Sequence, residues 1–270
     1  MSKEYCEYLS NLATTCADTN KTMASAGFKC NQIYQSTLEH LSKELGIQYL
    51  RQLEIEYPEI SYDLIKAFVN INDKYGSPIK AIFTMNTENT QKLLYCSPTS
   101  LRYTYHALKI LHYFKETGQT EIIELGVGYG GLFLAINFFS NILNVSIEKY
   151  IMIDLPEVEA LVQSYLEANS EHIQIPWVTA TKDDYLEKLS DKTDYFFISN
   201  YCLSFVSKDI RNNYVNDLLS KCEHGFITWQ TSFGVQEVEI EHTIQKAVLN
   251  TIEETPQTGP THAKNLYVIF

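Results

Sequence analysis

The sequence predicts an α/β protein with a doubly wound, seven-stranded, mostly parallel sheet, preceded by a helical region. Three observations predict it. From Glu121 onward, apolar strand-like runs alternate with amphipathic helical runs across short connections. Within that part, Glu121 to Asp154 reads as strand, glycine loop, helix, strand and acid, the opening half of a nucleotide-binding sheet. The chain then closes on a strand-like run, Leu266 to Phe270, after a long helical pattern.

Taken in order, residues 1–30 read as a loosely patterned helix followed by a polar segment. Residues 31–57 carry helical spacing in Ile33, Leu38, Leu41, Leu45, Ile47, Leu50 and Leu53. Pro58 interrupts the pattern and Tyr62 to Asn72 resumes it. Gly76, Ser77 and Pro78 mark a turn, and the run from Ile79 to Met85 fits strand or helix. Ser97-Pro98-Thr99 reads as a helix start with proline in the first turn. That helix continues through Leu101, Tyr105, Leu108 and Leu111 to Lys115, and Gly118 ends it.

Strands follow at 121–125, 150–154, 175–179, 194–199, 224–229 and 266–270, with a further strand near 251–254. Helices are expected near 130–140, 156–168, 183–189, 207–221 and 236–250. The boundary between a helical cap, residues 1–118, and an α/β domain, residues 119–270, lies where the connection is too short for a flexible linker.

Composition narrows the function. The hydrophobic content of 45% supports a sizeable core, and the net charge is −12. No lysine or arginine cluster offsets that charge, which argues against a nucleic-acid partner and against anionic membrane surfaces. No run approaches the roughly 20 apolar residues of a membrane helix, and the N-terminus lacks a basic-then-apolar leader pattern. A soluble cytoplasmic protein is expected. The six cysteines show neither C-x-x-C nor zinc-like spacing with histidine, so they read as free thiols of a reducing compartment. No metal site is expected.

The glycine loop fits two templates. Gly126, Gly128 and Gly131 satisfy G-x-G-x-x-G, the dinucleotide pattern. Gly126, Gly128 and Gly130, with Glu124 two residues earlier, satisfy E-x-G-x-G-x-G. Glycines let a ligand approach the backbone closely, and the helix start behind them suits a carboxylate. Asp154, followed by Leu155 and Pro156, ends its strand where the carboxyl edge of a parallel sheet opens to ligand. It suits ribose hydroxyls and also a helix N-cap.

Asp183 and Asp184 follow the third strand, where they suit a helix start. Ser199, Asn200 and Tyr201 end the fourth strand. His106 and His112 are six apart and do not share a helix face. His224 precedes the fifth strand. His262, in the polar loop before the last strand, is the histidine placed best to serve as a general base. Among 19 tyrosines, Tyr95, Tyr103, Tyr105 and Tyr129 are expected near the pocket.

The E-x-G-x-G-x-G form resembles the S-adenosylmethionine (SAM) loop of class I methyltransferases. SPTSLRYTYHALKIL, EIIELGVGYGGL, YIMIDLPEV, DYFFISNYCLS and TPQTGPTHAKNLYVIF together resemble the sugar O-methyltransferase family over roughly residues 95–270. The resemblance implies a Rossmann-like sheet with an antiparallel last strand. It implies SAM as cofactor, S-adenosylhomocysteine as product, and a sugar hydroxyl, nucleotide-linked or within a glycan, as acceptor. Glu124, Gly126, Gly128, Gly130, Asp154, Leu155, Asp183 and Ser199 would bind SAM, and Arg102 and Tyr103 would lie by the pocket. Asn200, Tyr201 and His262 would serve the transfer. Mg²⁺ is not indicated, although some O-methyltransferases use it.

Phe205 stands where relatives often carry an acid. Three other readings stay open. They are a methyltransferase for another small-molecule hydroxyl, an NAD(P)-dependent enzyme, and a non-catalytic SAM-fold module. The N-terminal helices would act as a lid or as a homodimer interface.

Overall fold

The computed structural model describes residues 27–37, 39, 41–87, 90–189, 194–231, 237–260 and 263–270. The chain divides into two compact units, one of residues 1–111, 128–144 and 155–174, the other of residues 112–127, 145–154 and 175–270.

Among the described residues, the first unit shows a 3₁₀ turn at Phe28–Cys30 and then helices α1 (Gln32–Thr37), α2 (Lys43–Glu56) and α3 (Tyr62–Asn72). Serine caps open two of them. Ser42 accepts the Leu45 N–H at 3.2 Å and Ser61 accepts the Leu64 N–H at 3.4 Å, each satisfying a donor the helix leaves orphaned. Strands β1 (Ala81–Thr87) and β2 (Thr90–Cys96) then pair antiparallel, Ala81 opposite Cys96. The stretch Ile79 to Met85, which fitted strand or helix, is therefore largely the first strand of a hairpin, and the region before residue 118 is not wholly helical. Its ambiguity has a physical source. Phe83 and Met85 turn inward, but Ile82 on the other face is 55% exposed, so apolar residues occupy both faces and blur the period of two.

Helices α4 (Pro98–Thr117), α5 (Gly131–Leu143) and α6 (Pro156–Ala168) follow, the end of α4 passing into the second unit. Phe68 of α3 packs its ring 5.5 Å from Phe139 and 5.8 Å from Phe138 of α5. A buried polar cluster lies in the same unit. Asp73 accepts the Ser97 N–H at 2.6 Å and the Ser100 hydroxyl at 2.6 Å. The Lys29 ammonium donates to the Asn72 carbonyl and lies 4.2 Å from the Tyr129 ring centroid, and desolvation holds it down at about 8.

The second unit holds the sheet. Its strands are β3 (Glu121–Leu125), β4 (Lys149–Ile153), β5 (Trp177–Ala180), β6 (Phe196–Asn200), β7 (His224–Trp229), β8 (Asn250–Glu253) and β9 (Leu266–Ile269). They lie in the order β5-β4-β3-β6-β7-β9-β8. The β4–β3, β3–β6, β4–β5 and β6–β7 pairs are parallel, whereas β9 runs antiparallel to both β7 and β8. This is the doubly wound α/β fold with seven mostly parallel strands, and the order reverses between β3 and β6. Every residue of β3 is buried, as expected for a central parallel strand.

The remaining helices are α7 (Tyr185–Lys188), α8 (Cys202–Phe205), α9 (Lys208–Asp217) and α10 (Glu237–Ile244). The single helix expected over 207–221 is α9 followed by a 3₁₀ turn at Leu219–Lys221. The helix expected to reach residue 250 stops at Ile244, because Gln245 takes φ +49 and Asn250 begins β8. Among the described residues no helix is long and apolar enough to cross a membrane.

Candidate cofactor site

The carboxyl ends of β3, β4 and β6 meet in the second unit. β3 stops at Leu125 because Gly126 takes φ +82, a left-handed conformation that costs a side-chain-bearing residue. The Gly126 N–H still donates to the Ile153 carbonyl at 2.9 Å, extending the β3–β4 ladder by one bond. A Cβ on Gly126 would stand 2.2 Å from the Cys202 Cβ, so this glycine is required by packing as well as by its dihedral angle.

The next amide is already directed. The Val127 N–H donates to Asp154 Oδ2 at 2.7 Å, while the Asp154 N–H donates to the Ala180 carbonyl at 3.1 Å. Asp154 therefore holds the loop against the ends of β4 and β5. A carboxylate offers about four acceptor positions, so it can take several donors at once.

Glu124 lies beneath, 2% exposed, and takes the Tyr150 hydroxyl at 2.8 Å. Tyr150 pairs with Ile122, two residues away on the same face of the sheet. Burial pushes the Glu124 carboxyl up to about 8, the Tyr150 bond offsets part of this, and the charge on Asp154 adds to it. Burial also raises the Cys202 thiol, with Asp154 and Glu124 adding in the same direction. The site is acidic.

At β6, the Ser199 hydroxyl donates to the Leu125 carbonyl at 3.0 Å and accepts the Leu203 N–H at 3.1 Å, tying β6 to β3. Asn200 accepts the Thr228 hydroxyl at 2.6 Å. Tyr201 takes φ +67, an uncommon state for a bulky residue. Its N–H donates to the Thr228 carbonyl at 2.8 Å and its hydroxyl to Glu254 Oε1 at 2.5 Å.

Glu254 is a residue the sequence reading did not single out. It is 1% exposed, and besides Tyr201 it takes the N–H and hydroxyl of Thr258 and the Asn265 amide. No linear signal marks it: Glu254 follows β8 directly after the half-exposed Glu253. Arg211 was also missed. It donates to the carbonyls of Leu203, Ser204 and Val206 at 2.9, 3.0 and 3.2 Å, fixing the turn after β6. Phe205, where an acid was expected from relatives, is partly buried in that turn.

Asp183 is exposed in the turn after β5. Its neighbour Asp184 closes that turn by accepting the Thr181 N–H at 2.7 Å and hydroxyl at 2.9 Å, which holds its carboxyl below the ordinary range. His224 approaches the Phe270 carbonyl at 3.3 Å. His262 lies outside the described residues.

Gly128, Gly130, Leu155, Arg102 and Tyr103 belong to the first unit. Gly128 and Gly130 take φ +60 and +88, and Gly130 opens α5 without a side-chain cap, leaving first-turn N–H groups to other acceptors. Leu155 opens α6, with Pro156 in the first turn. Gly131 is a packing glycine, since a Cβ there would stand 2.5 Å from the Tyr103 ring. Arg102 is 6% exposed, with its guanidinium 5.5 Å from the Tyr103 ring centroid. Of the other tyrosines, Tyr105 donates to Glu56 at 2.7 Å, Tyr129 is fully buried and Tyr95 is 63% exposed.

No family model matches the chain, and no curated protein matches it. Solved structures do. The CMeT domain of the citrinin polyketide synthase is 14% identical with a TM-score of 0.46, over 64% of this chain and 53% of that one. A Thermus thermophilus 16S rRNA N2 G1207 methyltransferase, in complex with AdoMet and guanosine, is 15% identical with a TM-score of 0.40, over 70% of this chain and 50% of that one. A COG1565 superfamily member and likely methyl transferase from Burkholderia thailandensis, bound to S-adenosyl-homocysteine, is 13% identical with a TM-score of 0.38, over 47% of this chain and 46% of that one. This chain thus spans about half the length of each, and a likeness this distant decides no chemistry.

Proposed function

We propose that the chain is a SAM-dependent O-methyltransferase that acts on a sugar hydroxyl. The bond from the Val127 N–H to Asp154 carries the reading. A dinucleotide needs loop amides for its pyrophosphate, but here a loop amide is committed to a carboxylate, and the Asp154 charge makes the surroundings acidic. That field repels a pyrophosphate and suits a ligand with a sulfonium, an ammonium and ribose hydroxyls. SAM, when bound, supplies a methyl group on a positively charged sulfur.

In this reading Asp154 accepts ribose hydroxyls and Gly126 admits the ligand to the backbone. Tyr201 and Glu254 form the pair that relieves the acceptor hydroxyl of its proton. The hydroxyl passes its proton to the Tyr201 oxygen as Tyr201 passes its own to Glu254. Such assistance is modest, and positioning supplies most of the rate. The sugar rests on the SPTSLRY and SNYCLS motifs. The negative charge of the chain, without a basic cluster, speaks against nucleic acid as acceptor.

Calorimetric titration with S-adenosylhomocysteine tests the cofactor. The intact chain is expected to bind it in preference to NADH. Asp154→Ala and Asp154→Asn are expected to weaken binding about 10- to 100-fold, the size of a hydrogen bond to a charged group. Tighter binding of NADH, or undiminished binding in both variants, would sink the reading. For the proton-relay pair, Glu254→Gln is expected to lower kcat about 10²-fold while S-adenosylhomocysteine affinity stays within threefold. An unchanged kcat would remove Glu254 from the chemistry.

A further inference from the structure

The first unit contains a cavity of about 480 Å³ that the cofactor reading does not use, and its size falls within the roughly 300–1,000 Å³ typical of small-molecule sites. It opens beside the start of α2, below the entry to β1. Lys43 and Lys80 line it, with Gln32, Gln35, Glu39 and Ile79. Glu39 is 8% exposed, and its Oε1 has no hydrogen-bond partner. An orphaned buried carboxyl oxygen costs free energy unless something completes it. Ile79 is 61% exposed, an apolar surface waiting for cover.

We propose that this cavity binds a phosphorylated polyol of hexose-phosphate size. The two lysines supply the phosphate end. Lysine is a point charge that suits phosphate, whereas a planar carboxylate is better matched by the arginine fork. The pair is notable in a chain of net charge −12. The Gln32 and Gln35 amides and the Glu39 carboxyl supply hydroxyl partners. Burial raises the Glu39 carboxyl above its ordinary value, while Lys29 and Arg102 oppose the rise. Ile79 meets the C–H face of the polyol. The site lies wholly within the first unit, and the inference stands whether or not the chain transfers methyl groups.

Titration of the full chain tests it, with glucose 6-phosphate, glucose 1-phosphate and mannose 6-phosphate as probes beside glucose and inorganic phosphate. At least one hexose phosphate is expected to bind at least tenfold tighter than glucose or phosphate alone. Lys43→Met with Lys80→Met is expected to weaken it at least tenfold. Glu39→Leu is expected to do the same, whereas Glu39→Gln, which keeps an acceptor oxygen, stays within threefold. Circular dichroism of each variant, and its S-adenosylhomocysteine titration, report separately on the fold and on the cofactor reading. Absence of binding by all three hexose phosphates overturns the proposal. So does inorganic phosphate binding as tightly as they do, or full affinity in the double lysine variant.

Discussion

Alanine at position 126 is expected to destabilise the protein by about 2–5 kcal/mol and to abolish S-adenosylhomocysteine binding, the sum of a left-handed backbone penalty and an overpacked contact. The larger part is steric. The new Cβ would stand 2.2 Å from the Cys202 Cβ and 2.7 Å from its Sγ, and the Cys202 Cβ belongs to every residue except glycine. Cys202→Ala therefore cannot relieve Gly126→Ala, whereas Cys202→Gly can. A double-mutant cycle in urea should show strong favourable coupling with Cys202→Gly and almost none with Cys202→Ala. Equal coupling for both would show that the φ of +82, not the contact, dictates glycine here.

Glu124→Gln is expected to change how stability depends on pH. The folded protein holds the Glu124 proton to about 8, against 4.5 without its surroundings. Between these values the unfolded chain has released the proton and the folded chain has not. Stability therefore falls as pH rises through that window, and it levels off above about 8. The full span corresponds to about 4–5 kcal/mol. Relative to the unchanged protein, Glu124→Gln should gain about 2–3 kcal/mol between pH 6 and pH 8, read as the difference of two denaturant titrations. Asp154→Asn should flatten the same slope in part, because the Asp154 charge helps raise Glu124. A pH-independent difference between Glu124→Gln and the unchanged protein would mean that Glu124 is ionised at neutral pH.

Much of the second unit was legible before any coordinates. Strands β3 and β7 fall at the expected residues, because buried parallel strands carry unbroken apolar runs bounded by glycine or polar residues. The misreadings have local causes. Ile240 and Ile244 are buried, but Val248, in step with them at helical spacing, is 76% exposed. The spacing alone carried the helix past its true end at Ile244. The β1–β2 hairpin was obscured by Ile82, Leu93 and Tyr95 on its outer face, all more than half exposed.

In the site, the glycines and Asp154 stood out because local sequence fixes both the turn and the strand end. Glu254 did not, since its partners Tyr201 and Asn265 lie 53 and 11 residues away. Nothing in a linear pattern marks which of two adjacent glutamates turns inward. The Asn72–Asp73 cluster was hidden for the same reason, drawing on residues as distant as Tyr165.

Glu254 also bears on how this chain can change over generations. One inward carboxylate gathers donors from the end of β6, from the loop after β8 and from the residue that leads into β9. Variation in that loop then divides into two kinds. Substitutions at solvated positions such as Lys264 can drift freely, since its ion pair with Glu253 is about half exposed on each side and such pairs contribute little. A substitution or a length change that withdraws Thr258 or Asn265 from Glu254 reaches Tyr201 through the shared acceptor. The placement of Tyr201 can thus be inherited as a property of loop spacing rather than of any single residue.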